Sequence, residues 1–222
     1  MNSLFSRFGL IAATLVFLST TAIVTAATYT VGGTGANFPT LEALRTSGVL
    51  QDGDTIVLNR NDNSFTAPFA NTLTIKGAGN ISSTSTRFFG DSNKDVTLNS
   101  NSLEFSGRAS ITARNIEIAS GTNTFSDNNW AATENARGGA INGTTIITDG
   151  FNTFSGNLAG PNIGGSGGAI FGNTILAGGT NLFYGNSAWF GGAICGNVDI
   201  TGGINTFADN KAGRNAMGSG YL

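Results

Sequence analysis

A chain of 222 residues with a formal net charge of −2, 11% charged residues and no histidine has room for one ordinary domain or a short solenoid. It offers no electrostatic reason to expect nucleic acid. Its 33 glycines, among abundant Asn, Thr and Ser, suit an extracellular β-protein with many turns better than a cytosolic helical one. The single cysteine, Cys195, forbids an internal disulfide, so packing and backbone hydrogen bonds alone must hold the fold.

Met1 to Arg7 carries one cation, Phe8 to Val24 is mostly apolar, and Val24-Thr25-Ala26 supplies the small residues that a signal peptidase reads. The pattern predicts a secretory signal over residues 1–26 and a mature chain that is secreted or held at the cell surface. Ser19-Thr20-Thr21 and the small-residue exit argue against a membrane anchor, and no later stretch approaches a span. Loss of Arg7 with the signal leaves a mature charge of −3.

The mature chain, residues 27–222, reads as one domain. Thr28-Tyr29-Thr30-Val31 alternates like a strand. After Phe38-Pro39, Thr40 is placed to N-cap a helix over Leu41-Glu42-Ala43-Leu44-Arg45, with Leu41, Leu44 and Val49 on one face. Asp52-Gly53-Asp54 then turns into the strand Thr55-Ile56-Val57-Leu58. A short amphipathic helix between two strands predicts an N-terminal cap over residues 27–58. Leu73-Thr74-Ile75, Val96-Thr97-Leu98, Leu103-Glu104-Phe105 and Ile116-Glu117-Ile118 follow, each with two apolar side chains on one face. Leu98 to Ile118 and Phe105 to Phe125 are both steps of 20 residues.

A two-part signature dominates the rest. Gly138-Gly139-Ala140-Ile141 leads to Phe154-Ser155-Gly156-Asn157, Gly167-Gly168-Ala169-Ile170 to Phe183-Tyr184-Gly185-Asn186, and Gly191-Gly192-Ala193-Ile194 to Phe207-Ala208-Asp209-Asn210; Phe125-Ser126-Asp127-Asn128 opens the series. From Gly-Gly to Phe the step is always 16 residues, whereas from Phe to the next Gly-Gly it is 13, 13 and 8. One rigid half and one elastic half are what stacked coils produce, because only the stacked part must keep register.

Aligned on the Phe, the units form columns. Ile118, Ile147, Leu176 and Ile200 stand seven before it, Gly121, Gly150, Gly179 and Gly203 four before, Asn123, Asn152, Asn181 and Asn205 two before, and Asn128, Asn157, Asn186 and Asn210 three after. In a parallel stack Phe and Ile/Leu would form apolar ribs, Asn would hydrogen-bond along the ladder, and Gly would mark a bend. Phe125, Phe154, Phe183 and Phe207, the Asn and the Gly-Gly pairs therefore read as architecture, not catalysis.

At these residues the chain resembles the polymorphic outer membrane protein repeat of chlamydial surface autotransporters, defined by repeated Gly-Gly-Ala-Ile and Phe-x-x-Asn tetrapeptides. The family's extension to Phe-x-x-Asn-x-Ala is matched at Ala159, Ala188 and Ala212, and the clear motifs cover residues 123–212. The resemblance implies a right-handed parallel β-helix passenger displayed on the cell surface as an adhesin. Family autotransporters end in a β-barrel, whereas 12 residues follow Asn210 here and no run of alternating strands could build one. The expectation is a truncated passenger, a stand-alone secreted solenoid, or a module whose anchor is encoded elsewhere. Met217 to Leu222 looks like the beginning of a worn Gly-Gly-Ala-Ile strand.

Parallel β-helices also host pectate-lyase-like polysaccharide lyases and hydrolases, which need grouped carboxylates or an acidic calcium cluster. Asp127 and Asp209 share a column, but Gly156 and Gly185 lie between them; Glu117 and Asp199 are likewise separated by Ile146 and Ile175. Neither pair can flank one bond. Cys195 has no histidine to activate it, and the Gly-rich segments lack the ending of a phosphate loop. No catalytic, cofactor or metal residue is assigned.

The elastic segments Asn129 to Arg137, Leu158 to Ser166 and Ser187 to Phe190 carry Trp130, Trp189 and Phe190, which are candidate partner-binding residues unless their rings fold back on the stack. Ile146 and Ile175, at outward positions, form a candidate apolar strip. The sequence thus predicts an all-β protein, a right-handed single-stranded parallel β-helix of about seven coils with a short N-terminal cap helix. Its expected role is an exported, non-catalytic, adhesin-like module meeting a host-cell, matrix or glycan surface, with self-association through the open strands of the last coil. The competing readings are a polysaccharide-degrading enzyme and a gene remnant or structural spacer.

Overall fold

The computed structural model describes residues 25–130, 136–160 and 164–213. All but the last two residues of the expected signal, the Met217 to Leu222 segment and the middles of the first two elastic segments lie outside these ranges. The described chain is mostly β-strand with one helix, and its strands pair in long parallel sheets. No helix among the described residues is long and apolar enough to cross a membrane.

The helix, Leu41–Ser47, begins where Thr40 accepts a hydrogen bond from the Ala43 amide and ends at Gly48 in the left-handed conformation. Asp62 Oδ2 accepts from the Leu41 amide and Ser64 Oγ from the Glu42 amide, so two further donors of the first turn are satisfied by the following strand region. Leu41 and Leu44 are fully buried against the first strands, whereas Val49, expected on the same face, lies beyond the Gly48 cap and is exposed.

Glu42 ties this helix down from outside. Its carboxylate accepts from both nitrogens of the Arg45 fork that reach it and from the amide and hydroxyl of Thr66. The Arg45 hydrogen bond, helped by those of Thr66, lowers the Glu42 pKa from 4.5 to about 2. A carboxyl lowered on folding stabilises the native state above its ordinary pKa, and that contribution is lost as pH falls from 4.5 toward about 2. Glu42→Gln is expected to flatten this part of the acid limb, read as a shallower fall of the urea midpoint across that pH interval.

Each later strand hydrogen-bonds in parallel to the strand one repeat further on. Phe154 pairs with Phe125 and Phe183, Phe183 with Phe207, and Ile147 with Ile118 and Leu176. Three long strands, Leu73–Ser83, Phe89–Gly107 and Ile111–Ser126, bend and serve two ladders each, with register shifts such as that between Ile75 and Ala78. Beyond Ile141 the same ladders are built from shorter pieces. The Asn-x-Ala stretches form a second sheet of Asn129–Trp130, Leu158–Ala159, Ser187–Ala188 and Lys211–Ala212.

The core is a set of continuous ribs. Phe105, Phe125, Phe154, Phe183 and Phe207 stack face to face with ring centroids 4.7–5.0 Å apart. The spacing is that of adjacent strands, so backbone ladder and ring stack share one repeat. Two asparagine ladders run beside them. The Nδ2 of Asn123, Asn152 and Asn181 each donates to the Oδ1 of the next asparagine, ending at Asn205, and Ser100 Oγ caps the start by donating to Asn123 Oδ1. In the other ladder Nδ2 of Asn128, Asn157 and Asn186 donates to the next Oδ1 and also to the carbonyl of Phe105, Phe125 and Phe154 respectively. No asparagine precedes Asn128 in its column, and its buried Oδ1 is left without a partner.

Backbone conformation explains two further columns. Gly121, Gly150, Gly179 and Gly203 all have φ between 73° and 94°, and a Cβ at Gly150 would lie 2.4 Å from the Gly121 carbonyl oxygen. Two residues after the Phe, Asp127, Gly156, Gly185 and Asp209 are all left-handed, with φ from 51° to 64°. Asp127 and Asp209 thus occupy a turn position that glycine and short polar residues tolerate. At the far end of the described stack Ile200 and Phe207 are exposed although their column mates Ile147 and Leu176, and Phe154 and Phe183, are buried; Ile204, whose own column mates Thr180 and Phe151 face outward, is 68% accessible beside them.

Candidate binding surface

Trp130 turns inward. Its strand position pairs with Ala159, and its ring packs against the small buried cluster of Ala136, Ala159 and Ala188. Among the described residues no strand of the second sheet precedes it, and the space holds two arginines: Arg87 at 4.2 Å and Arg108 at 5.2 Å from the ring centroid. Trp130 Nε1 donates to Ser110 Oγ, and Arg87 donates to the hydroxyls of Ser110 and Thr112. Burial pushes the Arg87 guanidinium below its ordinary pKa. This cluster closes one edge of the second sheet and offers little ring surface to a partner.

Trp189 and Phe190 meet edge to face, with centroids 6.4 Å apart, and Phe190 is 55% accessible. Ile146 and Ile175 are paired neighbours and half-buried, flanked in their column by Glu117 and Asp199. The strip is therefore two residues long between two carboxylates. Cys195 is half-buried beside Phe171, over which Arg137 lies at 4.9 Å.

A larger outward surface belongs to the strand ladder that carries the core Phe residues, because alternate side chains on those strands point away from the core. One column runs Ala78, Ser102, Thr122, Phe151, Thr180, Ile204; the next runs Asn80, Glu104, Thr124, Thr153, Leu182, Thr206; the third runs Ser82, Ser106, Ser126, Ser155, Tyr184, Ala208. Hydroxyls dominate, and Phe151, at 66% accessible, and Tyr184 stand out from them as exposed rings. The strand alternation Phe151-x-Thr153-x-Ser155 signals outward positions, but the sequence does not show that the rows together make one flat face.

At the N-terminal end of this face lies an open groove of about 460 Å³ lined by Asn59, Arg60, Asn61, Asn80, Ser102 and Glu104. Three carboxylates elsewhere are spent on structure: Asp52 pairs with Lys94, Asp95 with Arg114 and Glu42 with Arg45, and each carboxyl is held below its ordinary pKa, first by its partner's hydrogen bond. Among the described residues no group of three or more His, Cys, Asp or Glu side chains could hold a metal ion. No family model, curated protein or solved structure matches the chain.

Proposed function

We propose that the chain is a right-handed, single-stranded parallel β-helix of about seven coils, exported and acting without catalysis as an adhesin-like binding module. The observation that carries this reading is the division of labour among side chains. Phe, Ile and Asn columns are consumed by the stack, while Phe190 beside Trp189 stands exposed on a variable segment that the stack holds in place. Right-handedness follows the general preference of parallel crossovers. The repeat signature resembles surface-displayed passengers and supports a secreted or surface location facing a host-cell, matrix or glycan surface.

Attachment of the purified mature chain to cells and matrix-coated plates tests it. Wild-type protein is expected to bind and Phe190→Ala to lose most of the binding with an unchanged melting curve. Equal attachment of the variant, or none by the wild type, contradicts the reading.

Self-association through the apolar surface at Ile200, Ile204 and Phe207 is part of the same proposal, since the buried ribs that end in Ile200 and Phe207 emerge there into solvent beside the outward-facing Ile204. Light scattering is expected to give a mass that rises with concentration and falls to that of a monomer in Ile204→Lys. A concentration-independent monomer for the wild type contradicts it.

A further inference from the structure

We infer that the groove at Asn59–Asn61 and the hydroxyl-rich face leading from it form a binding site for a neutral polysaccharide. The inference rests on the binding-module reading above but concerns a different surface from Phe190. After the strand Asp54–Leu58 the chain leaves the ladder, and Asn59 to Asn61 stand as a wall beside the next row. The floor is backbone: Gly79 has φ +155°, and a Cβ there would lie 2.4 Å from the Arg60 carbonyl oxygen. Side chains larger than hydrogen at that point would fill the groove or push the wall away.

The hydrogen-bonding atoms in the groove are only partly used. Asn61 Oδ1 accepts from the Asn80 amide, Asn80 Oδ1 accepts from Ser106 Oγ, and Glu104 Oε1 accepts from Ser126 Oγ. Arg60 donates through one nitrogen to the Pro39 carbonyl. These bonds fix the side chains and leave the side-chain nitrogens of Asn61 and Asn80, the second oxygen of Glu104 and the Ser102 hydroxyl for a ligand, while the Arg60 side chain lies back over Gly32. Donors and acceptors alternate over a short distance, which is the pattern that vicinal hydroxyls satisfy in both roles. Glu104 puts a carboxylate in the groove, the Arg60 guanidinium is turned toward Pro39, and the mature chain is acidic, so a polyanion gains no electrostatic advantage.

The groove opens along the stack rather than ending blind. Three rows on from Ala78 in the groove lining, roughly 14 Å away, Phe151 projects from the same face. A sugar ring has polar edges and an apolar C–H face, and an exposed aromatic ring offers that face a partner while the Thr and Ser rows take the edges. A monosaccharide spans only the groove, whereas a chain of several sugars reaches both groove and ring, which makes a polymer the fitting ligand.

Affinity electrophoresis of the full mature chain in gels containing β-glucan, xylan or mannan, with polygalacturonate as the charged comparison, tests this. The wild type is expected to be retarded by at least one neutral polymer. Phe151→Ala and the double variant Asn61→Ala with Glu104→Ala should each raise the dissociation constant about tenfold, the loss expected for one or two directed contacts. All three sites are solvent-accessible, and unchanged melting curves show that folding is intact. Phe190→Ala should retain wild-type retardation. No retardation in any neutral polymer, retardation in polygalacturonate alone, or affinity unmoved by the groove and Phe151 variants overturns the inference. Cell attachment that depends on Phe190 would meanwhile leave the adhesin reading standing.

Discussion

Phe154→Ala is expected to destabilise the folded chain by about 3–5 kcal/mol, read as a large fall in the urea midpoint. Phe154 is fully buried and lies between two parallel rings, 4.8 Å from Phe125 and 4.7 Å from Phe183. Its removal leaves a gap that neither neighbour can fill without leaving its own strand register, because ring spacing and backbone hydrogen bonding have the same repeat. The strand itself can still form, so the cost is packing and lost apolar burial. Phe207→Ala makes the comparison, since that ring has a neighbour on one side and is partly exposed. It should cost less than half as much. Equal losses at the two sites would show that the column does not act as a stacked rib.

Asn157→Ala is expected to cost about 2–4 kcal/mol without creating a large cavity. Asn157 Nδ2 donates to the Phe125 carbonyl and to Asn186 Oδ1, while its Oδ1 accepts from the amide and side-chain nitrogens of Asn128. Truncation strips the Phe125 carbonyl and the Asn128 amide of these partners inside a buried turn, and each unpaired group carries a desolvation penalty. Asn157→Asp tests the direction of the ladder: it keeps the acceptor, removes both Nδ2 donors and places a charge among buried amides. It should be at least as damaging as Asn157→Ala. Denaturant titration of both variants at neutral pH checks this; an aspartate variant close to wild type would mean that Nδ2 is not the group that holds the turn.

Much of the scaffold can be read from spacing alone. When residue i repeats at i+29 or i+24 and the strands between are short, parallel neighbours are the economical solution, and the paired registers of Ile147 with Leu176 and Phe154 with Phe183 have those separations or follow from them. The helix is legible because Thr40, Leu41, Leu44 and Gly48 are local signals of cap, face and stop. Asp127 and Asp209 show the limit of reading residue type by itself. Their carboxylates suggest chemistry, yet they share their column with Gly156 and Gly185 because the backbone there is left-handed.

The surface is less legible, for physical reasons. Trp130 stands on an elastic segment, but what decides its fate is Arg87, 43 residues earlier in the chain, and the missing strand before Asn129–Trp130. The groove depends on a register shift between Ile75 and Ala78 and on a departure of the chain at Asn59, neither of which leaves a periodic trace. Phe151 is three residues before a core Phe, so its outward direction is predictable; the flatness of the rows around it is a property of the whole ladder.

The central claim is that equivalent residues of successive repeats lie one above another in parallel register. Methyl NOE spectroscopy on Ile- and Leu-labelled protein tests it most directly in the column Ile118, Ile147, Leu176, Ile200. Strong cross-peaks are expected between each successive pair and much weaker ones between Ile118 and Leu176, two rows and about 9.5 Å apart. Cross-peaks that skip a row, or the absence of contact between Ile147 and Leu176, would contradict it.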